Sequence, residues 1–209
     1  MEKEQQDKLT AFIAENKGKR KFTQSVDLTV NFTGIDFNKQ DNRFNMQVLL
    51  PNGRGRDTKV IFFADDKNLT AKAQAAGAQV VPSSELPTIS NDKVRMAELL
   101  DKELLAQPSL MPQIAKALGQ FLGPRNKMPR PAVGGDVGAT IASIGKSIYI
   151  RSKGKYLPTI NCVVGTEKMT PEELSGNIDE VVGSLSKKVG KAHIKSVYVK
   201  MTMSKPLRL

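Results

Sequence analysis

The run Gly138-Ala139-Thr140-Ile141-Ala142-Ser143-Ile144-Gly145-Lys146-Ser147 comes nearest to a chemical motif in this sequence. A phosphate loop needs a glycine separated by four residues from Gly-Lys-Ser, because backbone amides must curl around the phosphates, and Thr140 stands there instead. The order is also reversed: a helix is expected to lead in and a strand, Ser147 to Arg151, to follow. No Gly-x-Gly-x-x-Gly follows the strand expected at Val60, and Gly53-Arg54-Gly55-Arg56 precedes it, so a dinucleotide site lacks its glycines. Cys162 is the only cysteine and His193 the only histidine, so one chain assembles neither a disulfide framework nor a Cys/His metal site. Cys162 sits in the apolar run Ile160-Asn161-Cys162-Val163-Val164 and reads as a small buried hydrophobe. The usual nucleophile and base pairings are missing as well. No enzyme, no metal and no cofactor is expected.

Binding chemistry is better represented. Lys and Arg number 32 against 21 Asp and Glu, a formal charge of +11, and an excess of cations most often meets a polyanion, commonly nucleic acid. Eleven of the cations and eight of the acids fall between Lys59 and Lys146, so most of the excess lies in the two outer segments. Lys17, Lys19, Arg20 and Lys21 stand together without an acid, as do Lys191, Lys195, Lys200, Lys205 and Arg208. One such cluster is ordinarily a solvated face; two flanking strand patterns in the same half are harder to read so. Residues 39% hydrophobic and 25% charged describe a globular protein. No stretch approaches the ~18 apolar residues of a membrane span, and the opening from Met1 to Lys8 lacks the apolar core of a secretory signal, so a cytoplasmic location without membrane contact is expected.

The elements divide the same way. Val60-Ile61-Phe62-Phe63-Ala64 suits a buried parallel strand; Leu69 to Ala76, ending at Gly77, suits a helix, and Ala78 to Val81 a second strand. Helical patterns continue through Val94 to Leu105 and through Leu110 to Leu122, with Leu110, Ile114, Leu118, Phe121 and Leu122 on one side. In the outer segments Phe22 to Phe32 alternates as Val26, Leu28, Val30 and Phe32 against polar residues, Phe44 to Leu50 adds a strand, and Ile194 to Met201 alternates again. Thr170-Pro171-Glu172-Glu173 can cap and box a helix whose buried stripe is Leu174, Ile178, Val181, Val182, Leu185 and Val189. We read an α/β protein of two domains joined by a hinge: 1–58 with 147–209 as a discontinuous domain, and 59–146 inserted.

Two segments could touch RNA. The loop from Gly119 to Pro131, stiffened by three prolines, carries Arg125, Lys127 and Arg130; it reads equally as a rigid connection with solvated charges and as a secondary, phosphate-contacting RNA site. Ser196, Tyr198 and Lys200 share one face of their strand. That edge suits the shallow minor groove of an RNA helix, and an ordinary half-exposed strand explains it equally well.

Five segments in order, Phe22-Thr23-Gln24-Ser25-Val26-Asp27-Leu28, Leu50-Pro51-Asn52-Gly53-Arg54-Gly55, Leu122-Gly123-Pro124-Arg125-Asn126-Lys127-Met128-Pro129, Val164-Gly165-Thr166-Glu167 and Ser196-Val197-Tyr198-Val199-Lys200-Met201-Thr202-Met203, resemble the family of the first protein of the large ribosomal subunit, in its archaeal form. The resemblance covers essentially the whole chain. It implies an α+β first domain made from both chain ends, with an inserted, doubly wound, Rossmann-like α/β domain. It further implies a structural protein of the cytoplasmic ribosome, a monomer when free, that binds large-subunit ribosomal RNA at the mobile side stalk. Release of exit-site transfer RNA and repression of its own messenger RNA, whose leader mimics the ribosomal site, belong to the same implication. Carried onto this chain, the family's RNA contacts fall on Lys21, Phe22, Ser25, Asp27, Gly165, Thr166, Ser196, Tyr198, Thr202, Met203 and Ser204, and Arg54 and Lys200 are expected to join them as RNA contacts. Family members usually have glycine where Ser204 stands; a left-handed backbone there would cost serine on the order of 1 kcal/mol.

Overall fold

The computed structural model describes residues 3–132, 136–152 and 157–209; Met1 and Glu2 of the opening segment lie outside them. The chain divides into two compact units, Met1–Arg56 with Lys146–Leu209, and Asp57–Gly145. The boundaries fall one or two residues before the 58/59 and 146/147 placed from the sequence.

In the discontinuous unit the first element is helix α1, Lys3–Asn16, which the sequence reading did not anticipate. Strand β1, Ser25–Phe32, then buries every second residue, as its alternation requires. Strand β2, Asn45–Leu49, ends the first segment. The inserted unit contributes β3 (Val60–Phe63), α2 (Lys67–Ala75), β4 (Gln79–Val81), α3 (Leu86–Asn91), α4 (Lys93–Leu100), β5 (Glu103–Ala106), α5 (Met111–Leu122), β6 (Arg130–Pro131) and α6 (Val137–Lys146). The chain returns through β7 (Ser147–Arg151), β8 (Thr159–Thr166), α7 (Pro171–Val189), β9 (Ile194–Met201) and β10 (Leu207–Arg208).

The discontinuous unit holds an antiparallel sheet in the order β10-β9-β1-β8 and a ribbon of β2 with β7. One core lies beneath both: Val26, Leu28 and Val30 of β1, Ile148 and Ile150 of β7, and Val199 and Met201 of β9 join Leu174, Ile178, Val181 and Leu185 of α7. Phe32, Phe37 and Phe44 close one part of it, with ring centroids 5.2 to 5.7 Å apart. Helix α7 begins as its sequence dictates: the Thr170 hydroxyl accepts from the Glu173 N–H, the Glu173 carboxylate accepts from the Thr170 N–H, and Pro171 fills the first turn.

The inserted unit is a parallel sheet in the order β4-β3-β5-β6. Helices α3, α4 and α5 cover one face and α2 with α6 the other, which is the doubly wound arrangement. One expectation fails here. The helix expected through Leu105 stops at Leu100, and Glu103–Ala106 is an interior strand of the sheet. Glu, Leu and Ala all favour helix, so propensity extends the pattern. A strand with Leu104 and Ala106 in one core and Leu105 in the other shows no alternation to correct it.

Candidate nucleic-acid interface

Alternation in β1 and β9 turns Ser25, Asp27, Thr29 and Asn31, and Ser196, Tyr198 and Lys200, away from the core. Cross-strand hydrogen bonds order this polar face. Asn31 donates to the Ser196 hydroxyl at 3.1 Å and accepts from Thr159 at 2.9 Å, while Thr29 donates to Asn161 at 2.7 Å. Ser196 therefore keeps its own proton to donate. Asp27 lies opposite Lys200 in the sheet; burial pushes its carboxyl above the ordinary aspartate range, and the Lys200 charge partly opposes that shift. Cys162, facing the core beneath, has its thiol pushed up to about 12 by burial first and the Asp27 charge second, which leaves it a poor nucleophile.

The antiparallel register gathers three chain segments at one end of the sheet. Ser25 pairs with Thr166, and Val26 with Met201. The Thr202 N–H donates to the Ser25 carbonyl, and the Ser25 N–H to the Thr202 hydroxyl at 3.1 Å. Just beyond this junction two large apolar side chains stand in solvent, Phe22 at 49% and Met203 at 57% exposure. Lys17, Lys19, Arg20 and Lys21 lead up to Phe22, all exposed. Val94 and Leu157 are more exposed still, so exposure alone singles out neither residue; what distinguishes Phe22 and Met203 is that they lie at the junction of β1 and β9, with a run of four exposed cations leading into Phe22.

Loop 50–56 reaches the same end because Asn177 holds it. This fully buried amide accepts from the Asn52 N–H at 3.1 Å and donates to the Gly53 and Val164 carbonyls, both at 2.8 Å. Past it, the Gly55 carbonyl accepts from the Thr166 hydroxyl at 3.1 Å, and Arg56 donates to the Ser25 hydroxyl at 3.1 Å. Gly55 has φ +69, and a Cβ there would lie 2.6 Å from the Met169 sulfur, so both conformation and space call for glycine.

A sequence profile of the Ribosomal protein L1p/L10e family matches residues 11–205, a span that contains every residue of this sheet end. The chain belongs to that family. It is 37% identical over 196 residues to the large ribosomal subunit protein uL1 of Methanothermococcus thermolithotrophicus, covering 91% of this chain and 90% of that protein. It is 37% identical over 211 residues to that of Pyrococcus abyssi (97% and 95% covered) and 40% over 200 residues to that of Methanocella arvoryzae (93% and 92%). These relatives are named as ribosomal proteins, not as enzymes.

Of the thirteen RNA contacts expected from the sequence, the structure brings nine, Lys21, Phe22, Ser25, Asp27, Ser196, Tyr198, Lys200, Thr202 and Met203, onto the outer face and this end of the sheet. Three others have side chains or space turned inward. Thr166 is 1% exposed and spends its hydroxyl on Gly55. Gly165 is buried, and a Cβ on it would lie 2.5 Å from Leu174 Cδ2 and 2.7 Å from the Met169 sulfur, so it reads as a packing glycine. The Ser204 hydroxyl accepts from the Met201 N–H and donates to the Lys205 carbonyl, both at 2.9 Å, closing its own turn. Asn126 is the sole non-glycine with positive φ among the described residues, so the left-handed cost entertained for Ser204 does not arise. Arg54, the remaining one, has its Nε directed to the Ser147 carbonyl. Sequence reading missed Arg56, Gln24, Glu167 and Asn177, whose partners are remote in the chain.

The cationic loop of the inserted unit is drawn onto its own surface. The Arg125 guanidinium lies 4.2 Å from the Phe121 ring centre and donates to the Phe121 carbonyl. Lys127 and Arg130 lie 3.8 and 3.9 Å from the Glu103 carboxylate, while Arg125 stays exposed. Helix α6 runs straight into β7 at Lys146-Ser147, the reverse of a phosphate loop. Among the described residues no group of three or more His, Cys, Asp or Glu could hold a metal, and no helix is long and apolar enough to cross a membrane.

Proposed function

We propose that this protein is a structural component of the large ribosomal subunit that grips folded ribosomal RNA of the mobile side stalk through the Phe22, Ser25, Thr202 and Met203 end of its discontinuous unit. The observation that carries this reading is the pair of exposed apolar side chains, Phe22 and Met203, at the hydrogen-bonded junction of Ser25 with Thr202, with four exposed cations leading into Phe22. Ser196 and Thr202, each accepting one bond from the protein, retain hydroxyl protons for 2′-hydroxyls or phosphates in a shallow groove. The lysines would add the salt-sensitive, sequence-independent part. Family membership and the names of its relatives support the ribosomal location.

On the same reading the protein assists departure of exit-site transfer RNA and, as a free monomer, represses its own message by binding a leader that mimics the stalk site. The Arg125, Lys127 and Arg130 loop is the weaker part, because Lys127 and Arg130 share the Glu103 carboxylate and only Arg125 stands exposed. Substituting Thr202→Ala and Met203→Ala together should lower affinity for a side-stalk RNA fragment roughly hundredfold, as two lost contacts of somewhat over 1 kcal/mol each imply, with the fold intact. Undiminished affinity would sink the reading. Absence of a stalk-like hairpin from the message leader would remove the regulatory part alone.

A further inference from the structure

We infer that Gln24 is a positioning residue for RNA binding, a buried amide that fixes the backbone of Met203 so that its side chain is presented to RNA; this rests on the function proposed above. Gln24 is 2% exposed, so it touches no ligand itself. Its Oε1 accepts from the Met203 N–H at 3.1 Å; its Nε2 donates to the Glu167 carboxylate and to the Asn16 carbonyl, both at 3.2 Å. Its own carbonyl accepts from the Glu167 N–H at 3.0 Å. One side chain thereby ties together the end of α1, the end of β8 and the turn after β9.

The chemistry selects an amide. Glu167 and Asn16 both offer acceptors, so the NH2 end must face them and the carbonyl end must face Met203. A carboxylate at this position would confront two acceptors, and an aliphatic chain would abandon one donor and two acceptors in a place only 2 to 7% exposed at Gln24 and Glu167. The flanks of the turn have their own ties, Thr202 to Ser25 and Ser204 to Met201. Met203, the residue between them, donates its backbone N–H to the Gln24 amide oxygen. Losing that bond leaves the sheet in place while the exposed thioether samples other directions, and apparent affinity falls with the fraction of molecules that hold the competent one.

The test uses the full-length protein, a synthetic side-stalk RNA fragment, and hydrogen exchange at the Met203 amide. Gln24→Leu should speed Met203 exchange at least tenfold and weaken binding about tenfold, while the slope of log affinity against log salt stays unchanged because no phosphate contact is lost. In a Met203→Ala background the same substitution should cost less than about threefold. Equal losses in both backgrounds, an altered salt slope, or unchanged affinity would each overturn the assignment. Should Gln24→Leu fail to fold, Glu167→Ala, which removes the acceptor facing the Gln24 amide, replaces it: faster Met203 exchange with a proportionate fall in affinity supports the assignment, and unchanged exchange or faster exchange with no fall overturns it. Wild-type protein that ignores the stalk fragment overturns the functional reading together with Gln24's part in it, whereas wild-type binding with an indifferent variant overturns Gln24's part alone.

Discussion

Replacing Asn177 should cost the discontinuous unit more than any surface change. The side chain is 0% exposed and makes three hydrogen bonds, at 2.8, 2.8 and 3.1 Å, to the Gly53 carbonyl, the Val164 carbonyl and the Asn52 N–H. Asn177→Ala strands all three backbone groups, and at about 1 kcal/mol for each the loss is roughly 3 kcal/mol. The sequence supplies the assay: it has no tryptophan, none of its three tyrosines falls between Asp57 and Gly145, and Tyr149 and Tyr198 stand in β7 and β9, so tyrosine fluorescence during urea unfolding reports on the discontinuous unit. Asn177→Asp sharpens the test. It keeps an acceptor for Asn52 but sets an anion against two carbonyls, so burial and repulsion raise the new carboxyl's pKa in the folded state. The folded protein then binds that proton more tightly than the unfolded chain, and stability falls as pH rises through the ordinary aspartate value of about 4 and on to the raised one. Below that window the neutral carboxyl offers one donor and one acceptor, and the defect falls below the alanine level. A loss under about 1 kcal/mol for Asn177→Ala, or an aspartate variant indifferent to pH, would refute this account of the loop.

Other expectations can be checked in parallel. Gly165→Ala should destabilise the same unit by about 1 to 3 kcal/mol, because its Cβ meets Leu174 and Met169 at 2.5 and 2.7 Å; a neutral result in urea would mean that those side chains yield freely. Asp27→Asn should stabilise the free protein at neutral pH and not in acid, since a carboxyl whose folded pKa is raised by burial loses stability as pH rises from the ordinary aspartate value through the raised one. Thermal unfolding at both pH values decides it. Cys162, with its thiol at about 12, should be alkylated at least tenfold more slowly in the native protein at pH 8 than in denaturant; equal rates would contradict its burial. Lys21→Ala should weaken RNA binding uniformly across sequences and reduce the salt slope by about one, which titrations at several salt concentrations measure.

What could be read from the sequence followed local rules. The alternation of Val26, Leu28, Val30 and Phe32 is realised in β1, and Thr170, Pro171 and Glu173 start α7 as capping chemistry demands. Local rules also explain the failures. Helix α1 buries only Leu9 and Ile13, too thin a stripe to announce itself. Strand β5 is written in helix formers and was read as helix. Of the site, the outward residues were legible because a polar strand face shows in its period of two. The inward ones were not: whether the Thr166 hydroxyl faces a ligand or Gly55, 111 residues away, is decided by packing. Gln24 was visible within the motif Phe22-Thr23-Gln24-Ser25, but its partners at Glu167 and Met203 lie 143 and 179 residues off.

The central claim is that a preformed sheet end selects folded stalk RNA by shape. Competition at moderate salt between a labelled side-stalk fragment and an unlabelled random duplex of equal length addresses it most directly. The account predicts that the stalk fragment is held at least a hundredfold more tightly by the wild-type protein, and that Thr202→Ala with Met203→Ala removes the preference while leaving weak duplex binding. Equal affinity of the wild-type protein for both RNAs would contradict it.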